Sequence, residues 1–183
     1  MNRKSIFRDP DLCVDCKACI IACKVKNAWD PYSRPAAVAE PKAVNLLWVY
    51  PAEPVFSLDG KVHQSFVGIA CMHCENAPCI KVCPYSAIYK DPETKITLVD
   101  EDRCVGCKAC LWVCPYGAPS FKEDGNLVLC NLCIDRLREG KKAACEAACN
   151  ARAIFVGSPE EIAERQSKKA VEKIARAGRG SQI

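Results

Sequence analysis

Sixteen cysteines fall into four groups of four, and the spacing inside those groups restricts the fold more than any other feature of the 183 residues. The first group, Cys13, Cys16, Cys19 and Cys23, has the spacing C-x2-C-x2-C-x3-C. The third, Cys104, Cys107, Cys110 and Cys114, repeats it and adds Pro115. The second, Cys71, Cys74, Cys79 and Cys83 before Pro84, widens the middle gap to four residues, and the fourth, Cys130, Cys133, Cys145 and Cys149, widens it to eleven. Each group keeps the x3 ending. Three cysteines so closely spaced wrap a tight loop around one cubane 4Fe-4S cluster, whose iron corners need separate thiolates. The fourth faces away, begins the next helical turn and reaches the other cluster of a pair. Four such groups imply four clusters. Zinc favours C-x2-C pairs a dozen or more residues apart, a pattern the fourth group alone resembles. Disulfides between neighbours two residues apart in tight loops would be strained.

Cysteine at this density means a disulfide framework in secreted chains and metal binding in intracellular ones. Residues 1–13 (MNRKSIFRDPDLC) carry Arg3 and Lys4 with no apolar run behind them, unlike a secretory signal. The longest apolar candidate, Ala43 to Tyr50, stops at Pro51, far short of the roughly 18 residues of a membrane span. The expectation is a soluble, cytoplasmic protein. Its formal charge of +4 treats cysteine as neutral. Counting thiolates and oxidised cubane cores of about +2 each brings the loaded protein to about −4, so the basic composition is a poor argument for nucleic-acid binding.

The groups repeat in context as well as spacing. Asp9 to Cys19 (DPDLCVDCKAC) parallels Asp100 to Cys110 (DEDRCVGCKAC), and Cys83-Pro84-Tyr85 parallels Cys114-Pro115-Tyr116. The expected fold class is α+β, with two pseudo-symmetric ferredoxin-like units, one inserted in the other. Residues 1–30 and 122–157 would form the outer unit and residues 68–121 the inner. Residues 31–67 hold Pro31, Pro35, Pro41, Pro51 and Pro54. Within them, Asn45 to Tyr50 reads as a strand, and Val55 to Val67 as a hairpin turning at Asp59-Gly60. The reading is a short antiparallel sheet against the cluster units, with a partner-docking face as its alternative role. Residues 158–183 carry Ser158 as N-cap, Pro159 and two acids in the first turn, a helix to about Ala177 and Gly178 as the stop. That amphipathic helix either lies on its own body or docks another subunit.

In order and spacing, the four groups resemble the four-cluster iron-sulfur subunits of dimethyl sulfoxide reductase, formate dehydrogenase, nitrate reductase, tungsten aldehyde oxidoreductase and formate hydrogenlyase. The resemblance covers residues 5 to about 157 and is most specific at Cys71-Met72-His73-Cys74 with Pro78-Cys79, and at Cys130-Asn131-Leu132-Cys133-Ile134-Asp135-Arg136 with Gly140-Lys141-Lys142. It implies four ligand sets: Cys13, Cys16, Cys19 with Cys149; Cys130, Cys133, Cys145 with Cys23; Cys71, Cys74, Cys79 with Cys114; and Cys104, Cys107, Cys110 with Cys83. The implied role is non-catalytic: an electron-transfer subunit linking a molybdenum- or tungsten-pterin catalytic subunit to a partner such as a flavin or another iron-sulfur protein. A hydrogenase or carbon monoxide dehydrogenase system, a conducting filament joined through the C-terminal helix and a free polyferredoxin are the alternatives. Two departures stand out: Lys24 follows Cys23, and Asn150 follows Cys149 where proline is expected, a change that would loosen the turn. Nothing else resembles a catalytic site. His73 is placed to donate to a cluster sulfur, although a structural role is favoured for it and for His63. Trp29, Trp48 and Trp112 read as packing around the clusters.

Overall fold

A computed structural model describes residues 3–28, 44, 46–56, 60 and 62–180. Trp29, the prolines at 31, 35 and 41, and much of the expected Asp59-Gly60 turn lie outside the described residues. The elements run β1 (Ser5–Arg8), α1 (Ala18–Lys26), β2 (Leu47–Pro51), β3 (Val55–Phe56), β4 (Val62–His63), β5 (Phe66–Ala70), α2 (Pro78–Val82) and β6 (Ile88–Lys90). They continue β7 (Thr97–Val99), α3 (Ala109–Trp112), β8 (Ser120–Phe121), β9 (Leu127–Val128), α4 (Ile134–Arg138), α5 (Ala144–Ala147), β10 (Ile154–Gly157) and α6 (Pro159–Gly180). Strands pair antiparallel in twos: β1 with β10, β2 with β5, β3 with β4, β6 with β7 and β8 with β9.

This is an α+β protein of small ribbons and, apart from α6, short helices. With so little regular structure, tight loops and sulfur-lined packing organise it. The first and third cysteine loops repeat in backbone as they do in sequence. Asp15 and Gly106 share positive φ, at 56° and 67°, as do Lys17 and Lys108, at 59° and 61°. Gly106 has a further reason to be glycine, since a β-carbon there would stand 2.5 Å from the Gly125 carbonyl oxygen. The preceding aspartates also match: the Asp11 amide donates to Asp9 Oδ1 at 3.0 Å and the Asp102 amide to Asp100 Oδ1 at 3.1 Å, each an Asx turn.

α1 packs on α5 and α2 on α3, so helices from groups one and four meet, as do those from groups two and three. One buried core gathers Ile6, Ile20, Leu47, Ala70, Ile96, Leu132 and Ile154. A second gathers Ile88, Ala118, Leu127 and Leu129, and Cys130 packs against both. β2 pairs not with the hairpin but with β5, as a separate ribbon over α1, in register from Leu47 opposite Ala70 to Pro51 opposite Phe66. The hairpin pairs Val55 with His63, and its Phe56 is exposed.

α6 starts as its first residues require. The Glu161 amide donates to Ser158 Oγ at 3.2 Å, and the Ser158 amide to Glu161 Oε2 at 2.6 Å, a reciprocal capping box. Gly178 does not end the helix, which continues to Gly180; glycine weakens a helical turn without forbidding it. The first half of α6 lies on its own body. Lys169 grips Asp9 at 2.6 Å and Asp11 at 3.0 Å, Arg165 donates to the Arg152 carbonyl at 2.8 Å, and its guanidinium covers the Phe155 ring. Beyond that grip, Val171 and Ile174 are exposed. No helix among the described residues is long and apolar enough to cross a membrane.

Candidate iron-sulfur sites

Loops, rather than the middles of long elements, present the cysteines. The left-handed residues inside each loop curl the backbone tightly enough for neighbouring thiols to face one space. Cys13, Cys16 and Cys19 line one cavity together with Cys149, which lies far along the sequence in the link from α5 to β10. Cys23, on α1, lines a second cavity with Cys130, Cys133 and Cys145. Cys83, after α2, lines a third with Cys104, Cys107 and Cys110. The remaining four are also close: burial raises Cys71, with Cys79 and Cys114 adding to the effect, and burial raises Cys79, with Cys114 and Cys74 adding to it.

Backbone amides turn toward the sulfurs. Ala118 N–H donates to Cys114 Sγ at 3.4 Å and Ala153 N–H to Cys149 Sγ at 3.2 Å, the same four-residue step in the third and fourth groups. Leu127 N–H donates to Cys104 Sγ at 3.4 Å, and Ala144 N–H to Cys133 Sγ at 3.5 Å. Burial pushes Cys19 and Cys110 up to about 11, and Cys23 and Cys71 up to about 12. Such thiols stay protonated until a cationic core replaces the proton, so loading releases protons. Among the described residues, no three His, Cys, Asp or Glu side chains are placed to hold a single metal ion. The four-thiol walls instead fit a group that spreads its irons over four corners.

Asn150 leaves the turn after Cys149 closed. Ser86, Gly117 and Arg152 all stand three residues past a group-ending cysteine with φ of 50°, 58° and 51°. Their amides donate to the Cys83, Cys114 and Cys149 carbonyls at 3.2, 3.2 and 3.0 Å. The left-handed residue and its hydrogen bond close the turn with or without proline.

His73 does not donate to sulfur through Nδ1. That atom accepts the Thr97 amide at 2.9 Å and lies 3.9 Å from Cys71 Sγ, and burial pushes the ring down to about 3. It therefore stays neutral and splices the second cysteine loop to β7. His63 is exposed on the hairpin. Trp48 stacks on Tyr50, whereas Trp112 is 87% exposed. Two features had no signal in the motifs: Arg8, whose side chain lines both the first and second cavities, and Gly68 on β5, where a β-carbon would collide with Arg8 Cδ.

The profile of the 4Fe-4S dicluster domain family matches residues 62–159, and that of a 4Fe-4S binding domain matches residues 10–26. The protein is 33% identical over 175 residues to a subunit of the sulfite dehydrogenase of Allochromatium vinosum, an alignment covering 86% of this chain and 69% of that protein. It is 35% identical over 164 residues to a subunit of the anaerobic dimethyl sulfoxide reductase of Escherichia coli, covering 87% and 75%. It is also 35% identical over 162 residues to the electron transfer subunit of the thiosulfate reductase of Salmonella typhi, covering 87% and 78%. With sixteen cysteines for four 4Fe-4S clusters, this protein belongs to the 4Fe-4S dicluster family, as a non-catalytic electron-transfer subunit of the kind that serves molybdopterin oxidoreductases.

Proposed function

We propose that this protein relays single electrons from one to the other of two partners: a molybdenum- or tungsten-pterin catalytic subunit, acting on formate, an aldehyde or a similar small substrate, and a redox partner such as a flavin subunit. When bound, a 4Fe-4S cluster supplies one-electron chemistry at a potential set by hydrogen bonds to sulfur, burial and charge. Cys13, Cys16, Cys19 and Cys149 hold the first cluster, and Cys130, Cys133, Cys145 and Cys23 the second. Cys71, Cys74, Cys79 and Cys114 hold the third, and Cys104, Cys107, Cys110 and Cys83 the fourth. The observation that carries this reading is the crossing of the cavity walls, each of the three taking one cysteine from a different group than the other three.

Successive sites are neighbours. Cys19 and Cys23 share α1, Cys130 adds to the upward shift of both Cys23 and Cys71, and Cys79 adds to that of Cys110. Cys16 and Cys107, in the two end sites, are exposed, while Cys71, Cys133 and Cys145 in the middle sites, and Cys110 in the fourth, are buried. A relay needs this arrangement, with insulated middle stations and ends that reach the surface. Tyr85 and Val105, which line the fourth cavity, are exposed, an apolar rim suited to a protein partner.

Two ferredoxin-like units account for the architecture: residues 1–30 with 122–157, and residues 68–121 inserted within them. The packing of α1 on α5 and α2 on α3 supports this division. Residues 31–67 form the β insertion and residues 158–183 the helical tail, whose outer half is available for self-association. The cytoplasm is the proposed compartment, because it keeps thiols reduced.

The deciding experiment is anaerobic purification of the complex that accompanies the tagged protein from its native host, with metals counted per copy. About sixteen irons with molybdenum or tungsten are expected. Far fewer irons overturn the cluster assignment, and nickel without either pterin metal moves the protein to a hydrogenase or carbon monoxide dehydrogenase system.

A further inference from the structure

Arg8 ends β1 with its side chain turned into the body. Its Nε and Nη2 are fully buried and have no hydrogen-bond partner among the described residues. The guanidinium remains charged at all ordinary pH and carries five donors, so burying it without an anion is strongly unfavourable. Carboxylates nearby are already engaged. Asp9, the next residue, is held by Lys169 at 2.6 and 2.7 Å and by the Asp11 amide at 3.0 Å, and Asp15 pairs with Lys17. The fold makes room for Arg8, since any side chain at Gly68 would meet its Cδ.

Sulfur surrounds the unpaired group. Arg8 lines the cavity of Cys13, Cys16, Cys19 and Cys149 and also that of Cys23, Cys130, Cys133 and Cys145. Burial raises Cys19, Cys130 and Cys145, and the Arg8 charge draws each of the three back down.

We propose that Arg8 is the potential-setting residue of the outer cluster pair: its buried Nε–H and Nη2–H donate to sulfur of the clusters held in the two cavities that it lines, and its charge makes both easier to reduce. The proposal rests on the ligand sets given above. Each reduction adds one negative charge beside a fixed cation, in surroundings of low dielectric where that attraction is strong. Hydrogen bonds to sulfur act in the same direction. Arg8 exchanges neither proton nor electron; it positions charge. One cation shared by two neighbouring sites also eases the repulsion felt when both are reduced.

The test is a redox titration of the iron-loaded protein followed by electron paramagnetic resonance, with wild type, Arg8→Gln and Arg8→Lys compared at equal iron content. Signals are assigned to the outer and inner pairs with Cys13→Ser and Cys104→Ser. Arg8→Gln should make the outer pair about tenfold harder to reduce, a fall of about 59 mV for a one-electron couple, and leave the inner pair in place. Arg8→Lys should recover part of the loss, keeping the charge without the fork of donors. Unmoved outer potentials, or an equal shift at all four clusters, would overturn the proposal. Wild-type iron far below about sixteen per copy would overturn the cluster reading instead. If Arg8→Gln loads poorly, protein labelled with 15N in its guanidinium groups alone decides, with Arg103→Lys removing the arginine that lines the cavity of Cys104, Cys107 and Cys110. A 15N coupling to the reduced outer clusters upholds the proposal, and its absence overturns it.

Discussion

Asp91 shows what one carboxylate does in a fold with little regular structure. Its side chain is buried, accepts the Thr94 amide at 2.8 Å and Thr94 Oγ1 at 2.6 Å, and receives Arg138 Nη2 at 2.9 Å. It thus closes the β6–β7 turn and ties that turn to α4. Thr94's hydrogen bonds, with the Arg138 charge, hold the carboxyl below its ordinary range. Its folded pKa therefore lies under the unfolded value near 3.9, so the stabilisation is complete well above that value and is lost as pH falls through the folded one. Asp91→Ala should cost about 1–3 kcal/mol at pH 7, with the gap to wild type narrowing below about pH 4. Anaerobic chemical unfolding of the loaded protein at both pH values checks this. A constant gap would count against the ionised carboxylate as the source. Residues of this kind leave little trace in a sequence, because an aspartate before a turn looks alike whether or not an arginine 47 positions away reaches it.

Among elements, the cysteine loops were the most legible. The parallel of DPDLCVDCKAC with DEDRCVGCKAC reappears as matching Asx turns and matching positive φ. Residue type alone misjudged the turn after Cys149, since the hydrogen bond from the Arg152 amide, not proline, closes it. α6 was legible at its start, where the capping box is local, and less so at its end. Its two halves differ physically. The first is held by Lys169 and Arg165, while Val171 and Ile174 beyond are exposed, Ile174 at 71%. If this half joins a second copy of the protein, Val171→Glu with Ile174→Glu should reduce the particle size of the loaded protein to that of a single copy, by light scattering. An unchanged size ends the self-association proposal. The change should leave the fold intact, because neither side chain is packed.

On the scale of the whole molecule, the crossing of chain ends matters most. β1 pairs with β10 from Ser5 opposite Gly157 to Arg8 opposite Ile154, and this brings Cys149 to the first cysteine loop. Cys13→Ser and Cys149→Ser should therefore perturb the same cluster signal, and Cys23→Ser the same signal as Cys145→Ser. Paramagnetic resonance of the reduced protein reads both. Two different signals from Cys13 and Cys149 would mean that the sets do not cross. Each replacement should cost up to one cluster, about four irons of about sixteen, while losses from all four clusters would indicate unfolding instead.

The sequence by itself determined that the chain carries four 4Fe-4S clusters and how its cysteine loops curl, because those properties depend mostly on residues within a few positions of one another. It also marked the start of α6, for the same reason. Only the tertiary structure decided that Arg8 holds its Nε and Nη2 buried between two sulfur cavities without a hydrogen-bond partner among the described residues, that Gly68 leaves it room, that His73 splices a loop to β7, and that Trp112 faces outward. Those outcomes depend on what distant segments bring into contact. A buried charge differs from a solvated one through its neighbours in space, and the order of residues along the chain does not specify them locally.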